Sequence, residues 1–190
     1  MTRTFIALEM NEHMQRHLSG FIHQVAPALP GLRWVDPRGI HLTLAFLGEL
    51  DDEQLTLTYE AAQQAARKSR PFSYSLTHPG IFGTLRQPRV LWMGIDEPSG
   101  ALQYLYRLLQ KELVQRDFTG ESRPFSPHLT LARAKAPLNP TEQAALQKIL
   151  APNYKAGSTQ PYPASHIHVM KSELSRTGAT YTVLQEYSLQ

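Results

Sequence analysis

The side chains that can do chemistry come in a repeated string. His41-Leu-Thr-Leu-Ala45 returns as His128-Leu-Thr-Leu-Ala132, 87 positions on in a chain of 190. The alternation reads as two strands, whose side chains point to opposite faces with a period of 2. His41, Thr43 and Ala45 then share one face, with Leu42 and Leu44 on the other. His128 and Thr130 are separated from Leu129 and Leu131 in the same way. Each strand thus offers one imidazole and one hydroxyl and anchors itself by its leucines. Two such faces across a cleft could handle a phosphate. One neutral imidazole takes a proton from water, and one charged imidazole gives a proton to a leaving oxygen. Histidine suits both roles because its ordinary pKa is about 6.5. The two threonines can hydrogen-bond non-bridging oxygens as charge builds there. A single H-x-T says little, since a histidine on an apolar strand is commonly structural. Two copies at matching places reverse that weighting.

The elements that must position these residues also repeat. Thr4–Glu9 reads as a strand and Asn11 as the cap of a helix to Val25, with Met14, Leu18, Phe21, Ile22 and Val25 on one face. Arg33-Trp34-Val35 leads into the first motif strand, which Gly48 closes. Asp51, with Gln54 in the capping-box position, starts a helix that Pro71 stops by Arg70. Phe72–Thr77 alternates as a strand into a His78-Pro79-Gly80 turn, and the loop from Gly83 to Pro88 precedes a strand at Val90–Ile95. A helix over Ser99–Arg116 and a loop from Thr119 to Pro127 lead to the second motif. Asn139-Pro140-Thr141-Glu142 is a helix start, with its end near Leu150. Ser165–Leu174 and Ala179–Leu189 read as a hairpin around Arg176-Thr177-Gly178. First strands (Thr4, Val90), motif histidines and post-motif helix starts (Asp51, Asn139) are separated by 86, 87 and 88 positions. The spacing predicts an internal duplication of a strand–helix–strand–helix–strand unit. The expected fold is α+β and two-lobed, with mainly antiparallel sheets facing a central cleft and helices outside. The chain is expected to be one domain over 1–190, with lobes near 1–88 and 89–190 that are open to strand exchange.

Composition narrows the function classes. With no cysteine, disulfides, thiolate nucleophiles and cysteine metal sites are excluded. No apolar run approaches the roughly 18 residues of a membrane span, and the N-terminus turns charged too early for a signal peptide. A cytoplasmic address follows as the expectation. The net charge of +3 suits an anionic partner such as RNA, but the chain has no basic block for purely charge-driven binding. The i,i+4 pair His13/His17 reads as a solvated helix face rather than a metal site, and His166/His168, sharing a strand face without a convincing carboxylate partner, are not taken as a metal pair.

His41-Leu-Thr-Leu and His128-Leu-Thr-Leu resemble the paired H-x-T-x signatures of the two-histidine (2H) phosphoesterase superfamily. The longer strings H-L-T-L-A-F-L-G and P-H-L-T-L-A-R are similar to its LigT-like branch, the RNA 2′,3′-cyclic phosphodiesterases, also called 2′-5′ RNA ligases. The opening strand, Val90-Leu-Trp-Met-Gly94 and the closing Ser172…Gly178-x-x-Tyr181-x-x-Leu184 hairpin extend the likeness along nearly the whole chain. The resemblance implies hydrolysis of RNA-terminal or nucleoside 2′,3′-cyclic phosphate to a 2′-phosphate, with reverse 2′-5′ ligation open to the same site. It implies His41 as proton donor, His128 as proton acceptor, and Thr43, Thr130 and Arg133 as substrate-binding residues. No metal, no cofactor and a monomer are expected, with RNA ends or small cyclic nucleotides as substrate.

Two side chains resist this carry-over. Strict alternation sends Arg133 to the leucine face unless the strand ends or bulges after Ala132. It also sends Phe46 to the buried face with Leu42 and Leu44, as core rather than a base-stacking platform. Trp34, Arg86 and Arg89 could meet RNA, with packing or solvated loop as the plainer reading. Lys171, Ser172 and Tyr181 could stand on a cleft rim or on ordinary surface. A non-catalytic RNA- or nucleotide-binding module and a metal-dependent phosphoesterase remain the alternatives.

Overall fold

Helices begin where the capping residues put them. In this computed structural model, which describes residues 1–154, 156, 160–175 and 178–190, Asn11 caps α1 (Glu12–Val25) through the Met14 amide. Asp51 and Gln54 form a reciprocal capping box on α2 (Asp52–Arg67), as Asn139 and Glu142 do on α4 (Pro140–Ile149). The remaining helix is α3 (Ala101–Val114). The strands are β1 (Thr2–Glu9), β2 (Leu32–Trp34), β3 (His41–Leu50), β4 (Phe72–Gly83), β5 (Pro88–Asp96), β6 (His128–Ala134), β7 (Tyr162–Ala164), β8 (His166–Leu174) and β9 (Ala179–Ser188). Arg176 and Thr177 of the expected hairpin turn lie outside the described residues.

The strand order is β7-β4-β5-β6-β3-β1-β8-β9, with β2 attached to β6. Exchanging the two halves of the chain leaves the inner order β4-β5-β6-β3-β1-β8 unchanged, while the outermost strands β7 and β9 both come from the second half. The motif strands β3 and β6 meet at the centre, β1 and β5 flank them, and β8 and β4 follow. The chain reaches β4 after α2, yet β4 lies beside β5; it reaches β8 after α4, yet β8 lies beside β1. The described pairings are antiparallel, and the α+β architecture is the one expected. Short β2 has no counterpart in the other half of this order.

Leu42, Leu44, Leu129 and Leu131 lie in the main core with Met14 and Leu18 of α1 and Leu105 and Leu109 of α3. The leucine face of the motif strands is therefore the helix-covered face, which leaves the histidine face for the cleft. Between α2 and α3, buried Glu112 accepts from Lys68 and Arg116, whose hydrogen bonds hold its carboxyl below the usual range against the effect of burial.

One expected turn is absent. His78-Pro79-Gly80 does not end its strand; β4 runs through it to Gly83, with a register irregularity between Leu76 and Pro79. Proline cannot donate to a ladder, and a bulge is where a strand accommodates it. The turn to β5 comes instead at Thr84–Gln87, closed by the Thr84 amide on the Gln87 carbonyl. Arg86 is in that turn, and Arg89 is inside β5.

Candidate active site

The motif strands touch at one residue pair, Leu42 opposite Leu129. Opposed residues in an antiparallel ladder point the same way, and their neighbours point the other way. His41, Thr43, His128 and Thr130 therefore flank that pair on the cleft face. All four are half-buried, while Leu42, Leu44, Leu129 and Leu131 are buried. In a regular ladder His41 faces Thr130 and Thr43 faces His128, which makes the two histidines diagonal neighbours.

Both imidazoles are held alike. His41 Nδ1 lies 2.8 Å from the Gly39 carbonyl oxygen, and His128 Nδ1 lies 2.7 Å from that of Ser126. A carbonyl only accepts, so each Nδ1 carries the proton and each Nε2 is left for chemistry. For His41 the carbonyl comes from a 3-10 turn at Pro37–Gly39, capped by Asp36. For His128 it comes from Ser126, which the following Pro127 biases to extended backbone.

Aromatic rings fix the other faces. Phe5 of β1 stacks on His41 at 4.5 Å, and Tyr181 of β9 meets it edge-on at 4.9 Å. Phe82 of β4 meets His128 edge-on at 4.9 Å, and Trp92 of β5 lies 6.3 Å away. Sequence reasoning did not find Phe5, Phe82 and Trp92 as site residues, because their roles depend on which strands pair. Burial lowers the pKa of His41; the Gly39 hydrogen bond raises it, and the Arg133 charge lowers it further.

The family model of the 2'-5' RNA ligase superfamily matches residues 14–176, and both H-x-T motifs lie inside that span. The chain belongs to this superfamily. It is 30% identical to the RNA 2',3'-cyclic phosphodiesterase of Methanothermobacter thermautotrophicus over 187 residues, 98% of each chain. It is 32% identical to that of Thermotoga maritima, over 97% of this chain and 94% of the other. Its fold is similar to the Thermus thermophilus protein TT0787, with a TM-score of 0.81 and 29% identity across 98% and 97% of the two chains. It is also similar to apo Escherichia coli LigT, with a TM-score of 0.75 and 25% identity across 100% and 98%.

In this member of the superfamily, the two side chains that strict alternation misplaced reach the cleft side through matching bulges. The β1–β3 register passes from Ala7–Thr43 to Ile6–Ala45, skipping Leu44. The β5–β6 register passes from Trp92–Thr130 to Leu91–Ala132, skipping Leu131. Leu44 and Ala45 are consequently both buried, as are Leu131 and Ala132. Alternation resumes one residue late, so Phe46 and Arg133 rejoin the histidine face. Ala45 lies in the core rather than beside Thr43, and Phe46 is 57% exposed rather than core. The carbonyl of each skipped leucine finds a partner: Leu131 accepts from the Val35 amide at 2.9 Å, and Leu44 from the Gln110 side chain at a long 3.5 Å.

A cavity of about 760 Å³ opens from this face and is lined by His41, Thr43, Phe46 and Arg133. His128 and Thr130 stand outside its lining, on the β6 side. Ser172 and Tyr181 line it, so the closing hairpin does form a rim. Trp34 lines it as well, while Lys171 pairs with Glu173 at 3.0 Å. Arg3 covers the Phe46 ring, its guanidinium carbon 4.8 Å from the centroid. His17 binds the Ala156 carbonyl, and His168 binds Glu186. Among the described residues no three His, Asp or Glu side chains gather as a metal site requires.

Proposed function

We propose that this protein hydrolyses RNA-terminal or nucleoside 2′,3′-cyclic phosphates to 2′-phosphates by acid–base catalysis between His41 and His128. The carrying observation is the matched pair of imidazoles, each with Nδ1 tied to a carbonyl two residues back and both on one sheet face. Full-length relatives named RNA 2',3'-cyclic phosphodiesterase support the reaction class, and LigT has been solved in complex with 3'-AMP.

In this reading His128 Nε2 takes a proton from water as the water oxygen attacks phosphorus. The P–O3′ bond breaks, and His41 Nε2–H protonates the departing 3′ oxygen. The 2′-phosphate remains, and one proton transfer in the opposite sense resets the pair. Thr43 and Thr130 donate to the non-bridging oxygens, Arg133 supplies positive charge, and Phe46 offers a face for a base. Burial works against a proton on His41 in the free protein, whereas the negative charge of bound substrate works for it. Run backwards with a 5′-hydroxyl in place of water, the same groups form a 2′-5′ linkage.

The chain, on this reading, is one domain of two lobes, near 1–88 and 89–190, each lending its last strand to the other. It acts as a monomer in the cytoplasm, without a metal or cofactor. Among the described residues no helix is long and apolar enough to cross a membrane.

The test is hydrolysis of a nucleoside 2′,3′-cyclic phosphate in EDTA, with the product isomer identified. His41→Ala and His128→Ala should each lose about 10²–10⁴-fold in kcat, and the wild type should be unaffected by chelator. Full activity in either variant would refute the acid–base pair, and a chelator-sensitive rate would refute the metal-free mechanism.

A further inference from the structure

The cavity continues past His41, Thr43 and Arg133 to a lip built by β2. That strand sits beside β6 with Arg33 directly opposite Arg133. Opposed residues share a face, and like charges placed so repel. Among the described residues no carboxylate pairs with Arg33, Arg133 or Arg3, and Arg3 meets only the Phe46 ring. The one acidic side chain among the described lining residues is Asp36, held by Arg38 at 2.6 Å. Arg38 hydrogen bonds keep that carboxyl below its usual range. The Arg33 guanidinium reaches Gly178, where an added Cβ would stand 3.4 Å from Nη2, at ordinary contact distance. Trp34, next along β2 and opposite Ala132, packs against the core, and among the described residues its buried indole N–H has no hydrogen-bond partner.

The volume fits the excess charge. About 760 Å³ falls within the roughly 300–1,000 Å³ of small-molecule sites, more than a lone phosphate fills. Arginine is the side chain best shaped to fork onto phosphate oxygens. From these observations we infer a second phosphate subsite at Arg33, which receives the phosphodiester on the 5′ side of the cyclic-phosphate nucleotide. The inference rests on the hydrolytic reading above and names its substrate class: oligonucleotide ends in preference to free cyclic mononucleotides. β2 pairs with β6, and among the described residues no equivalent strand pairs with β3, so the subsite exists on one side of the histidine pair and gives the bound strand a direction.

The test compares kcat/KM for adenosine 2′,3′-cyclic phosphate, its 5′-phosphorylated form, and the dinucleotide ending in the same cyclic phosphate. Wild type should favour the dinucleotide over the nucleoside by about 10–100-fold, the range of a charge-assisted contact. Arg33→Gln should bring that ratio near one, and Arg33→Lys should keep part of it. An equal gain with the 5′-phosphorylated mononucleotide assigns the subsite to phosphate charge alone. A gain with the dinucleotide only assigns it to the diester. Arg33 is exposed, so the substitution should leave the fold intact. Equal rates for all three substrates in the wild type overturn the subsite, as does an equal loss on all three in Arg33→Gln. If no substrate is cleaved, the hydrolytic reading fails by itself. Calorimetric binding of adenosine 3′-phosphate and the dinucleotide 3′-phosphate to wild type and Arg33→Gln then decides the subsite separately, again by whether a dinucleotide preference exists and depends on Arg33.

Discussion

Gly80→Ala should damage catalysis from a position that carries no side chain. Gly80 lies directly opposite Trp92 in the β4–β5 pair, and the indole folds over it. A Cβ built on Gly80 would stand 2.2 Å from both Cη2 and Cζ2 of Trp92, where ordinary contact begins at 3.4 Å. The ring must therefore withdraw by about 1.2 Å, and this half-buried indole can do so only by pressing on the rings beside it. Trp92 is 5.7 Å from Phe82 between ring centroids, and Phe82 holds the edge contact to His128. The displacement thus passes into the ring assigned to activate water. A misplacement of about 1 Å can cost 10²-fold in rate, and overpacking costs about 1–3 kcal/mol of stability. Steady-state hydrolysis should show kcat lower by about 10–100-fold with KM little changed, and urea unfolding should show the stability loss. Trp92→Leu added to Gly80→Ala should restore part of the stability, since it removes the clash; their coupling should reach about 0.5–3 kcal/mol. A Gly80→Ala protein with wild-type kcat and wild-type stability would refute the claim that Trp92 braces His128.

The remaining expectations concern single side chains. Arg133→Gln should raise the His41 pKa, because the Arg133 charge is one of the causes that lower it; an NMR titration that stays put or moves down contradicts this. Since His41 binds a proton less readily folded than unfolded, its contribution to stability is complete above about pH 6.5 and is lost as pH falls below that value. The corresponding step in unfolding free energy should be absent from His41→Gln. Phe46→Ala should change stability by no more than about 0.5 kcal/mol; a loss of about 3–5 kcal/mol, the cost of a core phenylalanine, would place it back in the core. Buried Glu142 accepts from the Asn139 amide at 3.1 Å and from the Gly31 amide. Glu142→Ala should therefore cost about 2–4 kcal/mol by urea unfolding, from a lost cap and an unmet donor.

Much of this molecule could be read from its letters, and what could not falls into two classes. The helices were legible because their caps and apolar spacing are local: Asn11, Asp51 and Asn139 each start a helix in the expected way. The duplication was legible because spacing survives when side chains diverge. Phe5, Phe82 and Trp92 were not, because a strand does not encode its neighbour. β4 pairs with β5, and β9 reaches His41 through β8 beside β1, so the rings around each histidine come from separate strands of the chain.

Phe46 and Arg133 belong to another class, since a local signal for them was present. Strict alternation puts Ala45 and Ala132 on the cleft face, where an alanine contributes nothing to phosphate chemistry. Yet alanine is the fifth residue in both copies of the string. A small residue is what a bulge can tuck into the core beside a leucine, and both alanines are buried there. The repeat H-L-T-L-A thus encodes a strand and the place where its phase slips. The residue just past the slip is Phe46 in one copy and Arg133 in the other. One bulge, duplicated, therefore delivers an aromatic face from β3 and a positive charge from β6 to the same cleft. That asymmetry between equivalent positions is what the proposed roles of Phe46 and Arg133, a face for a base and a charge for phosphate, require.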